Sequence, residues 1–274
     1  MAMLCGVLSV FVVLKRMAFI GQGISHAAFG GVGFALLVGV FASAVRGPMA
    51  RDVIIAAFCV ATALVIGLIA RRGRVAEDTA IGIILVAGMA LGVLLLDIRS
   101  LGWAGYTPPV HDILFGDLLF LRTVEIAAVW VLAGVVCVMK VSFFKELVFF
   151  IFDEETAQAF GVRTGVLYYG LLVFLALAVV AAMRTLGVIL ASALLILPGA
   201  SARRLSRRIG RIVMLSGFIG VAGVTGGFFL TILLQEVTFG AVIVFVLCGI
   251  VAACCLWDKL SRSSVRRWAG HGGA

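Results

Sequence analysis

The chain has 274 residues, of which 64% are hydrophobic and only 13% are charged. This composition excludes an ordinary soluble globular domain, in which charged residues make up about 25%. The formal net charge of +9 would suit a nucleic-acid partner, but the cations lie in short groups between apolar runs, as the orientation signals of membrane proteins do. The composition therefore indicates a polytopic membrane protein without a nucleic-acid partner.

Apolar runs recur along the whole sequence. We predict nine hydrophobic segments: 1–14, 18–45, 53–70, 79–96, 121–139, 166–183, 186–198, 211–233 and 237–257. No long polar linker separates them, which predicts an all-α fold of eight to nine transmembrane segments in a single domain over residues 1–274. The first segment is too short to span, so it is either a tilted, partial span or the remnant of a longer one, and we expect the natural chain to begin upstream. The seventh ends at Pro198-Gly199, which favours a broken or partly inserted helix.

Lysines and arginines set the expected orientation. Alternating the nine segments places 17 of the 22 cations on one side, which is then the cytoplasmic side of the cell membrane. This arrangement predicts an extracytoplasmic N-terminus and a cytoplasmic C-terminus.

Two polar side chains lie inside the second segment. Gln22 and His26 are four residues apart, so on a helix they share one face. At 1.5 Å per residue His26 lies about 15 Å beyond Arg16, near the middle of a bilayer about 30 Å thick. A histidine at this depth needs a partner, a water-filled cavity or a ligand. His26 is thus either a transient metal ligand or a structural histidine, and Gln22 either a second ligand or an interhelical hydrogen-bonding group.

Two longer stretches lie between segments. The outer stretch 97–117 contains His111, which either touches a metal ion or a delivery protein or is an ordinary surface histidine. The inner stretch 141–163 contains a predicted short helix. Asp153 is its expected N-cap, Glu154 and Glu155 suit the first turn, and Gly161 is the expected stop.

The sequence carries no sign of its own energy source. All carboxylates lie in loops or at segment ends, whereas ion-coupled carriers place ionisable groups at membrane depth. The phosphate-binding pattern GxxxxGK[ST] and the zinc-protease pattern HExxH are both absent from the sequence. If the protein moves a solute uphill, the energy has to come from another subunit, and the chain itself is not expected to be an enzyme.

Several ordered motifs run through the chain: LKRMAFIG (14–21), SHAA (25–28), FGDLL (115–119), FDEETAQAFGV (152–162), LGVILASALLILPGASAR (186–203) and GAVIV (240–244). Together they resemble the permease subunits of bacterial zinc, manganese and iron ABC importers. The resemblance implies that two permeases form the path, that cytoplasmic ATPase subunits drive it, and that an extracytoplasmic metal-binding protein delivers a divalent ion. The ion would be the transported substrate, and no cofactor would be held permanently.

The resemblance also assigns roles to residues. It implies that the segment around Asp153, Glu154, Ala157 and Gly161 couples the permease to the ATPase. The family usually has an aspartate four residues before the signature histidine, where this chain has Gln22. A carboxamide oxygen can bind a divalent ion but adds no charge. We therefore expect His26 and Gln22 to form a weaker site, or one completed by a partner chain, either an identical or a homologous permease.

Alternative functions remain open from the sequence. Related permeases import metal chelates such as siderophores or corrinoids, and a non-transporting membrane scaffold is a third possibility. One imidazole and one amide fit zinc, manganese and iron equally, so the residues do not choose the metal.

Overall fold

A computed structural model describes residues 1–41, 47–73, 76–102, 123–234 and 237–269. All regular secondary structure in these ranges is helical. His111, the FGDLL motif and most of the predicted outer stretch lie outside the described residues.

Ten helices are described, numbered here in chain order: α1 Ala2–Leu14, α2 Ala18–Phe41, α3 Pro48–Arg71, α4 Glu77–Gly102, α5 Thr123–Phe152, α6 Glu154–Ala159, α7 Thr164–Leu194, α8 Leu197–Leu205, α9 Ile209–Leu234 and α10 Phe239–Ala269. Within the described ranges, seven helical stretches are long and apolar enough to cross a membrane, and α1 is a shorter apolar helix. The predicted polytopic all-α class is therefore confirmed, and the predicted count of eight to nine segments is approximate.

The structure corrects two predicted boundaries. The stretch expected as a cytoplasmic loop from residue 141 continues α5 to Phe152, with a kink at Phe143 (φ −116°, ψ 20°). This part stays helical because its apolar side chains, among them Leu147 and Phe150, are buried. The seventh segment does not end at Pro198 but continues to Leu205, and it is broken as predicted, since α7 ends at Leu194 and α8 begins at Leu197. That proline lies in the first turn of α8, where its missing N–H costs no helical hydrogen bond.

Contacts divide the chain into two compact units. The first consists of Met1 and Leu14–Ser192, and the second of Ala2–Val13 and Ala193–Ala274. The sequence-based prediction of one permease domain stays a prediction.

Helix α2 has the largest buried fraction of the seven spans. It packs most extensively against α4 and next against α3. In its most apolar window 72% of the residues are buried, against 28% in α3 and in α4. Its window is also the least hydrophobic of the seven. A membrane helix with few strongly apolar residues and a largely buried surface is suited to the protein interior, while α3 and α4 have the composition and exposure of lipid-facing helices.

In the second unit, α9 packs against α10 and α8, and α8 also packs against α10. Helix α1 contacts α9 through small residues. A Cβ atom on Gly6 would lie 2.7 Å from the Ser216 carbonyl oxygen, and the Ser9 hydroxyl is 2.9 Å from the Ser216 hydroxyl. Close approach through small residues is the usual way in which helices associate within a bilayer.

Candidate metal pathway and coupling site

Gln22 and His26 lie on one accessible stripe of α2. Both side chains are half-buried, Phe19 on the same face is exposed, and most other residues of this half of the helix are buried. One helical turn separates the two polar side chains, about 6 Å along the axis. The structure thus places both predicted ligands on the same side of the most interior membrane helix, as their spacing predicted.

Glycines hold the backbone of α2 in place beside this stripe. A Cβ atom on Gly88 of α4 would lie 2.9 Å from Ala27 Cα and 3.4 Å from the His26 carbonyl oxygen. A Cβ on Gly30 of α2 would lie 2.8 Å from the Gly88 carbonyl oxygen. Because these neighbours are backbone atoms, a larger residue cannot be accommodated by moving a side chain. Helices α2 and α4 therefore meet backbone to backbone at the turn that carries His26.

The imidazole of His26 has a nitrogen that the surrounding helices do not satisfy. Its Nδ1 atom is buried and has no hydrogen-bond partner among the described residues. A buried polar atom without a partner is unusual in a folded protein, and such an atom is normally satisfied by a ligand, a water molecule or an ion. Ser25, by contrast, donates its buried hydroxyl to the Gly21 carbonyl oxygen at 2.8 Å. It has the packing role that is usual for a serine in a membrane helix.

The described residues of one chain do not supply a complete metal site. They contain no group of three or more histidine, cysteine, aspartate or glutamate side chains that could hold a metal ion. One imidazole and one carboxamide are neutral donors, and they bind a divalent ion less strongly than a set that includes a carboxylate. This arrangement can hold an ion briefly rather than retain it.

The predicted coupling segment has the capping geometry expected from its sequence. The Asp153 carboxylate accepts a hydrogen bond from the Thr156 backbone N–H at 2.9 Å and another from the Thr156 hydroxyl. These bonds hold the pKa of Asp153 below its ordinary value. Gly161 has φ +83°, the left-handed conformation that glycine adopts readily after a helix end. The predicted N-cap and stop of α6 are thereby confirmed, while their part in ATPase coupling remains a prediction.

Glu154 points toward the membrane helices. One carboxylate oxygen accepts from Lys15 Nζ at 2.7 Å, and the other from an Arg71 guanidinium nitrogen at 2.6 Å. Partial burial by itself raises the pKa of Glu154, but the hydrogen bonds and charges of the two cations outweigh it and hold the pKa below its ordinary value. Ala157, one turn later, is fully buried. One side of α6 is thus fixed against the rest of the first unit.

The other side of α6 is open. Glu155, Gln158 and Ala159 are exposed, and two phenylalanines flank the helix with large exposed fractions, 64% for Phe152 and 77% for Phe160. Exposed aromatic rings beside a short capped helix form a surface suited to a protein partner.

Sequence reasoning missed the roles of Lys15 and Arg71. Both were counted only as cations of the cytoplasmic side. Each lies at the end of an apolar segment on the same predicted side as Glu154, which was the available signal. Their pairing with Glu154 depends on how α3 and the turn before α2 pack near α6, and this packing cannot be read from the sequence.

Comparisons with known proteins agree with this architecture. The profile of the ABC 3 transport family matches residues 1–257. The manganese transport system membrane protein MntC of Halalkalibacterium halodurans is 34% identical over 270 residues, which cover 97% of this chain and 87% of that protein. The manganese transport system membrane protein MntB of a Synechocystis species is 32% identical over 243 residues, covering 88% and 74% of the two chains. The solved structure of PsaBC from Streptococcus pneumoniae in complex with Fab matches with a TM-score of 0.77 and 27% identity, over 92% of this chain and 86% of that one.

These matches extend over nearly the whole chain and include both the α2 stripe and the α6 segment. A permease subunit of this kind is not itself an enzyme, because a separate subunit hydrolyses ATP. The protein is a multi-pass membrane protein that belongs to the ABC 3 transport family, as a permease subunit of a metal ABC importer.

Proposed function

We propose that this permease imports manganese, with His26 and Gln22 contacting the ion on its way through the membrane. The half-buried imidazole of His26 lies on the accessible stripe of an otherwise buried helix, and its buried Nδ1 atom has no hydrogen-bond partner among the described residues; this observation carries the proposal. The manganese transport named for two of the relatives supports this metal over zinc and iron.

A weak site is compatible with import. The ion has to leave the pathway as readily as it enters, so conduction requires binding that is favourable but not tight. A second permease, identical or homologous, would bring further ligands to the path. This arrangement accounts for the absence of a complete metal site within the described residues of one chain.

The proposed energy source is a cytoplasmic ATPase that docks on the open side of α6. Phe152 and Phe160 supply the apolar contact there, and Glu155 and Gln158 lie between them. The remaining partners are an extracytoplasmic binding protein that delivers the ion and the lipid bilayer. The excess of cations on one side supports a cytoplasmic C-terminus.

Uptake by the reconstituted complex tests this function. Liposomes containing the permease and its ATPase would receive Mn²⁺-loaded binding protein outside and ATP inside. We expect loaded binding protein to stimulate ATP hydrolysis and Mn²⁺ to accumulate. His26→Ala should lower Mn²⁺ uptake about tenfold or more, because even loss of an outer-shell partner of a metal ligand typically costs 10–100-fold in metal affinity or activity.

Ser25→Ala is the matched control, since Ser25 is the adjacent polar residue and its hydroxyl is already bonded within α2. Uptake by His26→Ala equal to that of Ser25→Ala would contradict the proposed metal contact. A membrane scaffold would show no stimulation of ATP hydrolysis, and a chelate permease would transport a chelate while leaving free Mn²⁺ outside.

A further inference from the structure

Three charged side chains of the first unit meet at the start of α6. Glu154 lies at the first position of this helix, Lys15 lies in the turn that precedes α2, and Arg71 is the last residue of α3. The two cations occupy different oxygens of one carboxylate, at 2.7 and 2.6 Å. A single side chain of α6 is therefore joined at once to the turn before α2 and to the end of α3, both far from it in sequence.

Further contacts hold each cation in place. Lys15 Nζ also donates to the Phe150 carbonyl oxygen at 3.3 Å and lies 3.9 Å from the centroid of the Phe150 ring. The Arg71 guanidinium lies 5.0 Å from the ring centroid of Tyr168 and 5.8 Å from that of Tyr169. Cations over aromatic faces are attracted by the ring quadrupole, so neither side chain is a freely moving surface charge.

The neighbouring residues of the same charge are all on the outside. Arg16, Arg72 and Glu155 each follow one member of the cluster directly, and each is exposed. Arg16 has φ +63°, which is uncommon for a residue with a side chain and marks a tight turn immediately before α2. At Lys15–Arg16 and at Glu154–Glu155 the more buried of two adjacent like charges belongs to the cluster. At Arg71–Arg72 both residues are exposed, and Arg71 is the one paired with Glu154.

We propose that Glu154 is a positioning residue that transmits the movement of α6 to α2 and α3 during transport. This role rests on the proposed function, in which α6 docks on the ATPase, and it assigns the Glu154 carboxylate to the membrane side of that docking helix. Lys15 precedes the first residue of α2 by three positions, and His26 lies in the third turn of that helix. Because a helix moves as a rigid rod over this length, displacement of its start also displaces His26.

An ion pair of this exposure contributes little to folding stability, because water screens its charges. Neutral replacements should therefore leave a folded permease that still binds its ATPase. Their effect should appear in the number of Mn²⁺ ions imported per ATP hydrolysed, a ratio that a purely structural contact would not change.

The test uses the full complex in liposomes with Mn²⁺-loaded binding protein. We expect Glu154→Gln to keep the ATPase bound in normal proportion and to lower the number of Mn²⁺ ions imported per ATP at least tenfold. Lys15→Gln and Arg71→Gln should each lower the ratio, and Lys15→Gln combined with Glu154→Gln should be no worse than Glu154→Gln alone. The matched controls Arg16→Gln and Arg72→Gln should resemble the wild type.

A ratio for Glu154→Gln equal to that of the wild type would overturn the proposal, as would loss of the ATPase from the Glu154→Gln complex, since Glu154 would then act in docking. If Glu154→Gln yields little folded permease, Lys15→Gln decides the question from outside α6, and a ratio equal to that of Arg16→Gln overturns the proposal. Absence of Mn²⁺ uptake by the wild type would instead contradict the proposed function, so the two failures are distinguishable.

Discussion

The α2 stripe and the start of α6 lie in the same unit but differ in how their polar groups are paired. Around His26 the helices are fixed by backbone contact through glycines, while a polar atom of the imidazole has no partner among the described residues. Around Glu154 the opposite holds, since both carboxylate oxygens are occupied by cations. A site that binds a passing ion needs a rigid backbone and a ligand atom that is not already bonded. A contact that transmits movement between helices needs charged side chains that are paired with each other.

Overpacking at the glycine contact should have the largest effect on folding. In Gly88→Leu a side chain would have to occupy space already filled by the backbone of α2 at Ala27, 2.9 Å from the Cβ position. We expect the free energy of unfolding to fall by about 3 kcal/mol, the upper end of the usual range for overpacked sites. Thermal denaturation of the purified permease in detergent measures this loss.

Gly82 offers a control on the same helix, because a Cβ atom there meets nothing within 4 Å. Gly82→Leu should denature at nearly the wild-type temperature. Equal destabilisation by the two leucines would show that helix α4 tolerates neither, and the backbone contact would not be the cause.

Introducing a carboxylate beside His26 should make the α2 stripe a stronger metal site. In Gln22→Asp a carboxylate would stand one turn from the imidazole and bind a divalent cation more strongly than a carboxamide. We expect the affinity of the purified permease for Mn²⁺ to rise about tenfold, equivalent to ~1.4 kcal/mol. Equilibrium binding of Mn²⁺ in detergent measures it.

Gln22→Asn keeps the amide on a side chain of the same length as aspartate, so it separates charge from size. If the two variants bound Mn²⁺ equally, Gln22 would face away from the ion, and only His26 would remain as a proposed ligand in this chain.

Removing the N-cap of α6 should have a smaller effect, confined to the first turn of that helix. Asp153→Ala removes the acceptor for the Thr156 backbone N–H, so hydrogen exchange at Thr156 should become faster. Asp153→Asn keeps an acceptor of the preferred kind and should exchange almost as slowly as the wild type. An unchanged rate in Asp153→Ala would mean that other contacts fix the helix start without the cap.

Acid should destabilise α6, and above pH 5 we expect no change in its stability. The pKa values of Asp153 and Glu154 are both held below their ordinary values in the folded state. Their contribution to stability is therefore present at neutral pH and is lost as the pH falls through the folded pKa values, below about pH 4. Exchange protection of α6, corrected for the intrinsic rate at each pH, should be constant from neutrality to pH 5 and then decline. A decline already between pH 7 and pH 6 would contradict the sign of these shifts.

Much of this protein can be inferred from local sequence. Composition and apolar run length establish a polytopic helical membrane protein, because each span has to satisfy its backbone within itself. The spacing of Gln22 and His26 is enough to put them on one face, and Asp153 and Gly161 mark the ends of α6 through chemistry that acts within a few residues. These inferences hold since helical periodicity and capping depend on neighbours in the chain.

The remaining features depend on contacts between residues distant in sequence. Lys15 and Arg71 lie 139 and 83 residues from Glu154, and no local rule selects them over the adjacent Arg16 and Arg72. The meeting of Gly88 with Ala27, like the continuation of α5 past residue 141, follows from which helices pack together. The sequence by itself determined the kind of protein and the face of α2 that Gln22 and His26 share. Only the tertiary structure decided which charges join α6 to the membrane helices, because that choice is made by packing across the whole first unit.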